Sequence, residues 1–144
     1  MPTEITQKMA HAILDAVFEK ASAMNMKPLT VAVLDAGGHL KALSRQDGTS
    51  TLRPDIAQGK ARGAISMGLG SRALYKRAQE QPYFIQAMNS LSDGSLVPVP
   101  GGVLVRNEAG TIIGAVGITG DSSNNDEACA VAAIEAVGLT ADAG

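Results

Sequence analysis

Two short β-rich runs joined by a glycine-containing turn constrain the fold of this chain most. In "LTVAVLDAGGHLKALSR", residues 29–45, apolar and β-branched residues stand on both sides of Asp35-Ala36-Gly37-Gly38. This pattern predicts a β-hairpin. A second pair follows, with a strand near Val103, the turn "RNEAG" and a last strand "TIIGAVGITG". Because no connection resembles the strand-helix-strand crossover of parallel strands, we expect a mainly antiparallel sheet in an α+β protein.

Helical segments are predicted before, between and after these hairpins. Residues 4–25 have helical periodicity, with Thr3 as a possible N-cap. A second helix has Pro54 in its first turn, a third begins at Ser71 and is interrupted near Pro82, and a last helix covers residues 125–138. The core face of the first helix is predicted to carry Ile5, Met9, Ala12, Ile13, Ala16, Val17 and Met24. With 144 residues, the chain is expected to form a single domain, residues 1–144.

The charge and hydropathy of the sequence argue against nucleic-acid and membrane partners. The net charge of −2 and the mixed signs give no basic stripe, so no nucleic-acid partner is expected. No apolar run approaches the ~20 residues of a membrane span, and the first residues do not resemble a signal peptide. We therefore expect no membrane partner and a cytoplasmic location. The single cysteine, Cys129, has no cysteine or histidine partner nearby and is expected to be a buried small hydrophobe.

The first helix carries a second, weaker apolar stripe, which consists of His11, Leu14 and Phe18. These residues are predicted to lie roughly opposite the core face, where a solitary helix on a core is normally polar. We expect either another subunit or a ligand to cover them.

A lysine stands within an apolar row of the second helix. Ile56, Lys60, Ala64 and Met67 recur at helical spacing. Lys60 either packs its stem and extends its ammonium to water, or points into a pocket, where it holds an anion or acts after a pKa shift.

Three glycines punctuate the last predicted strand, at positions 114, 117 and 120. Their GxxGxxG spacing matches neither the dinucleotide fingerprint nor the phosphate loop. Asp121, Asp126 and Glu127 follow at the start of the last helix, where they would repel a bound phosphate. The glycines indicate close approach of another backbone or a flat ligand, with a tightly packed strand that has no ligand as the alternative.

Four segments carry a family resemblance through their sequence, their order and their spacing: "VAVLDAGGHLKALSRQDG", "AQGKA", "PGG" and "GTIIGAVGITG…NDEACA". Together they resemble the GlcG/HbpS family of small haem-binding or haem-degrading proteins, to which the C-terminal domain of the PduO adenosyltransferase is also similar. The resemblance implies a profilin-like fold, with a mainly antiparallel five-stranded sheet flanked by helices. It also implies self-association into dimers or larger rings.

Haem or a related tetrapyrrole is the leading ligand that the resemblance implies. His11 is the best candidate for the iron ligand because imidazole binds iron well, and Leu14 and Phe18 beside it can pack against a porphyrin. The alternative for His11 is a hydrogen-bonded packing residue at a helix interface. His39, which shares a strand face with Lys41 and Arg45, is expected to face solvent.

Two other functions stay open, and neither specifies a reaction. One is an enzyme of small-molecule catabolism, whose anion-holding pocket is built from Asp35, Arg45, Lys60, the Pro100-Gly101-Gly102 loop and Thr119. In it arginine would clamp a carboxylate and glycine N–H groups would stabilise an oxyanion. The alternative for Arg45 and Lys60 is an ordinary surface ion pair. The other function is an oligomeric accessory protein of a catabolic gene cluster, without chemistry of its own.

Overall fold

The computed structural model describes residues 1–144 and contains one five-stranded antiparallel sheet with the strand order β2-β1-β4-β3-β5. The strands are β1 Thr30–Asp35, β2 Leu40–Arg45, β3 Gly102–Arg106, β4 Ile112–Thr119 and β5 Thr140–Asp142. The helices are α1 Gln7–Ala23, α2 Arg53–Met67, α3 Ser71–Glu80, α4 Pro82–Leu91 and α5 Ser123–Ala136. The predicted α+β class and five-stranded antiparallel sheet are confirmed. No helix combines the length and the hydropathy needed to span a membrane.

The first hairpin forms where the glycine-containing turn predicts it. The Asp35 carboxylate oxygen Oδ1 accepts hydrogen bonds from the backbone N–H groups of Gly37, at 2.9 Å, and His39, at 3.0 Å. Gly38 has a φ of +81°, which a residue with a side chain rarely adopts. Local turn chemistry therefore sets the register of β1 and β2.

The element boundaries differ from the predictions at two places. Helix α1 is capped by Thr6 rather than Thr3, since the Thr6 hydroxyl accepts the Met9 N–H at 3.2 Å. The glycine-rich run is not the last strand, because Thr140–Asp142 pairs with β3 at the sheet edge. A three-residue edge strand gives no alternation long enough to be visible in the sequence.

The sheet is covered on both faces. Helices α1 and α5 pack on one face, and the principal core lies there. Helix α2 packs on the other face against Leu34, Leu104 and Ala115. Cys129 lies in the principal core, as predicted, and burial raises the pKa of its thiol to about 11.

Close approach explains the glycines of β4. A Cβ on Gly117 would overlap the carbonyl oxygen of Ala57 in α2, and one on Gly114 would overlap the carbonyl oxygen of Leu34. Other backbone segments therefore fill the space beside this strand. Of the two partners predicted to approach these glycines closely, another backbone or a flat ligand, the structure shows another backbone.

Candidate functional site

Lys60 is enclosed at the end of β4. Its side chain is 2% exposed, and its Nζ donates to the carbonyl oxygen of Ile118 at 2.9 Å and to Asp126 Oδ2 at 3.3 Å. The prediction that its ammonium reaches water is wrong, because the Asp126 carboxylate, itself 1% exposed, holds it inside. Lys60 also lines none of the surface depressions, so the pocket role predicted for it has no opening to solvent.

Burial dominates the electrostatics of this pair. Loss of solvation lowers the pKa of Lys60 and raises the pKa of Asp126, while the attraction between the two charges opposes both shifts. Asp126 Oδ1 also accepts the backbone N–H of Asp121 at 3.1 Å, in the turn that leads from β4 into α5. The pair therefore ties α2 to the end of β4 and to α5.

The Pro100-Gly101-Gly102 loop packs closely against Lys60. Gly101 has a φ of +123°, and a Cβ there would lie 2.7 Å from the Ile118 oxygen and 2.9 Å from the Lys60 Nζ. The Gly102 N–H donates to the Ser71 hydroxyl at 2.7 Å. The Gly102 N–H is therefore not free for the oxyanion-binding role that was predicted for the glycines of this loop.

The other predicted pocket residues are divided between the two ends of the sheet. Arg45 and Thr119 both pair with Thr30, whereas Asp35 pairs with Gly114 at the far end of β1. Arg45 is exposed and lines a depression of about 440 Å³. The predicted pocket is therefore not assembled as one site: Arg45 and Thr119 share an end, Lys60 is inside and Asp35 is remote.

Sequence reasoning missed Arg53. Its Nη1 donates to the Thr119 hydroxyl at 2.7 Å, so Arg53 rather than Arg45 contacts that threonine. The only local feature that marks Arg53 is its position immediately before Pro54 at the start of a helix. Nothing in the sequence indicates its contact with Thr119, which lies 66 positions away.

The His11, Leu14 and Phe18 stripe lies on a flank of α1 rather than opposite its core face. Leu14 is only 8% exposed and belongs to the principal core, and Phe18 packs against that core while half-buried. His11 is exposed, and no hydrogen bond or ion pair of the chain involves its side chain. The stripe is therefore covered along part of its length and open at His11.

This flank faces the edge of the sheet. The opposite flank of α1, with Met9 and Ala12, lines an apolar depression of about 320 Å³ together with Val137 and Leu139 beyond α5. Helix α1 packs only on α5, β1 and β2. Successive residues of a helix are rotated by about 100°, so His11, Leu14 and Phe18 point away from α5 and toward β2. Strand β2 is at the edge of the sheet, and its outer side is unpaired.

The chain has one other histidine, His39, which lies in the first hairpin. His39 is 82% exposed, as predicted, with its Nδ1 3.3 Å from Asp35 Oδ1. No group of three or more histidine, cysteine, aspartate or glutamate side chains is arranged to hold a metal ion.

The fold defines the class of this protein: a small α+β protein whose one antiparallel sheet is covered by helices on both faces. The chain belongs to the HbpS-like family, described as haem degrading protein HbpS-like, whose model matches residues 5–135. Protein GlcG of Escherichia coli strain K12 is 37% identical over 115 residues, which cover 80% of this chain and 81% of GlcG.

Two solved structures extend the comparison. A PduOC:heme complex superposes with a TM-score of 0.83 at 26% identity, covering 94% of this chain and 96% of the other. A double mutant of HbpS from Streptomyces reticuli has a TM-score of 0.79 at 26% identity, covering 96% and 90% of the two chains.

Proposed function

We propose that this protein binds haem or a related tetrapyrrole on the flank of α1, with His11 as an axial ligand of the iron. The observation that carries the proposal is an exposed imidazole with no partner in the chain, on the same flank of α1 as an apolar side chain that is only half-buried, Phe18. Membership of the HbpS-like family and the likeness to the PduOC:heme complex support it.

The chemistry of haem suits a site with a single imidazole. A porphyrin supplies four nitrogen ligands to its iron, and the protein adds one or two axial ligands. Neutral imidazole is a common axial ligand, and the His11 nitrogens are not engaged elsewhere. Leu14 and Phe18 would contact the porphyrin on the side of the core.

A second copy of the chain would supply the rest of the binding wall. Ligands of this size are mostly enclosed by apolar side chains, and the α1 flank of one chain offers only part of such a wall. The neighbouring strand β2 is an edge strand whose outer side is unpaired, and its first residue, Leu40, is 46% exposed. We therefore propose a homo-oligomer in which this edge and the α1 flank meet another subunit.

A haem titration of the apoprotein tests the proposal. We expect a saturable shift of the Soret band in the wild type, and loss of that shift in His11→Ala. Because His11 is exposed and bonded to nothing in the chain, the variant should keep the melting temperature of the wild type.

His39→Ala is the matched control, since it removes the other, also exposed, imidazole. It should bind haem as the wild type does. Equal spectra for wild type and His11→Ala would remove His11 from the site, and non-saturating binding in all three proteins would overturn the haem function.

A further inference from the structure

A depression at the end of the sheet opposite Asp35 is lined by cations and donors without a carboxylate. It has a volume of about 270 Å³ and is lined by Lys27, Arg53, Thr49, Ser50 and the glycines Gly48 and Gly120. No carboxylate oxygen lies within 4.0 Å of the Arg53 guanidinium or the Lys27 ammonium. Two side-chain cations therefore face one small space whose lining residues include no carboxylate.

The Arg53 guanidinium is already oriented. Its Nη1 donates to the Thr119 hydroxyl at 2.7 Å, while its Nε and Nη2 donate to nothing in the chain. These two nitrogens share one edge of the planar group. Such an edge donates two parallel hydrogen bonds to a carboxylate or a phosphate. Half-burial of Arg53 reduces the screening of its charge by water.

Backbone groups around the depression add further donors. The N–H groups of Gly48, Thr49, Ser50 and Gly120 make no hydrogen bond within the chain. The start of α2, where Arg53 lies, adds the positive end of a helix dipole. The nearby Asp121 carboxylate is occupied instead by the N–H groups of Lys27 and Ser122 and by the Asn125 side chain.

We propose that this depression is a binding site for a small anion that carries a carboxylate or phosphate group. Arg53 donates hydrogen bonds to two oxygens of the anion, and Lys27 neutralises its remaining charge. The N–H groups of the loop donate further hydrogen bonds to it. Arg53 and Lys27 thus take the place that sequence analysis gave to Arg45 and Lys60. The site is separate from the proposed haem surface, because none of the residues that line the depression belongs to the α1 flank with His11, Leu14 and Phe18.

Calorimetric titration of the haem-free full chain tests this proposal with two separate probes, inorganic phosphate and succinate, at constant low ionic strength. We expect one saturable site for at least one probe. Binding to phosphate alone identifies a phosphate ligand, and binding to succinate alone identifies a carboxylate. Arg53→Gln should weaken binding at least tenfold.

Arg62→Gln is the control, since it removes the same charge from the same helix outside the depression. It should bind as the wild type does. Should Arg53→Gln fail to fold, Lys27→Gln, which changes an exposed side chain, must still weaken binding several-fold. Absence of a saturable site for both probes overturns the proposal, as does equal binding by wild type and both site variants.

Discussion

At the scale of single residues, the Lys60–Asp126 pair shows how a charged side chain serves the fold. Lys60 sits in an apolar helical row, and its ammonium is neutralised by a carboxylate 66 positions away in the sequence. A buried charge is tolerated only when it is paired and hydrogen-bonded, and both conditions are met here. The pair therefore holds α2, β4 and α5 in a fixed arrangement.

Removal of one partner should destabilise the protein strongly. Lys60→Met leaves the Asp126 carboxylate buried without its cation, and we expect the free energy of unfolding at neutral pH to fall by about 3–5 kcal/mol. The loss should shrink as the pH falls, because burial raises the pKa of Asp126 and protonation removes the unpaired charge. Denaturant unfolding measures both effects.

Lys76→Met, at an exposed position of α3, is the control and should change the free energy of unfolding by less than about 0.5 kcal/mol. Equal losses in the two variants would show that the buried pair is not structurally important.

Asp121 should contribute to the loss of stability in acid. Hydrogen bonds from the Lys27 N–H, the Asn125 side chain and the Ser122 N–H lower the pKa of Asp121 from 3.8 to about 2. The unfolded chain therefore takes up this proton first, and the stabilisation is present above about pH 4 and lost as the pH falls toward about 2. Asp121→Asn should flatten the dependence of unfolding free energy on pH in that window.

Glu108→Gln, in an exposed turn, serves as the control for removal of a carboxylate and should leave the acid dependence as in the wild type. An unchanged acid transition in Asp121→Asn would contradict the assignment to Asp121.

At the scale of elements, β4 approaches the backbone of α2 most closely at Gly117. A Cβ at position 117 would overlap the Ala57 carbonyl oxygen, which is backbone and cannot rotate aside. Overpacking of this kind typically costs about 1–3 kcal/mol and sometimes more. The close approach of α2 to the sheet at Ala57 therefore requires the absence of a side chain at Gly117.

Gly117→Ala should lower the free energy of unfolding by more than about 3 kcal/mol, because α2 must move away from the sheet. Gly110→Ala is the control: its φ is +82° and nothing lies near its missing Cβ, so only backbone strain of about 1 kcal/mol is expected. Equal losses in denaturant unfolding would mean that strain, not the contact with Ala57, explains the glycine.

The same elements show what sequence analysis can predict. Turn residues predict the hairpins, proline predicts the break at Pro82, and periodicity predicts the position of α5. Each of these signals acts over a few residues. The partner of Lys60, the contact between Arg53 and Thr119, and the edge strand β5 depend on how distant segments pack. The apolar helical row identified Lys60 as a notable residue, but neither its partner Asp126 nor the contact between Arg53 and Thr119 was predicted.

At the scale of the whole molecule, the two proposed sites lie at different places, one on the flank of α1 beside the edge of the sheet and the other at the end of the sheet. The α1 flank with His11 lies beside the unpaired edge strand β2, where a second copy of the chain would complete an apolar wall. The depression with Arg53 and Lys27 lies at the start of α2. In this proposal, self-association and tetrapyrrole binding use one surface, and the proposed anion site lies outside it.

The most direct test of the central claim is pulsed electron paramagnetic resonance of the ferric haem complex, prepared with ¹⁵N-labelled histidine. If His11 ligates the iron, the wild type and His39→Ala will show hyperfine coupling to a histidine nitrogen, and His11→Ala will not. Coupling that persists in His11→Ala, or is absent from the wild type, would contradict axial ligation by His11.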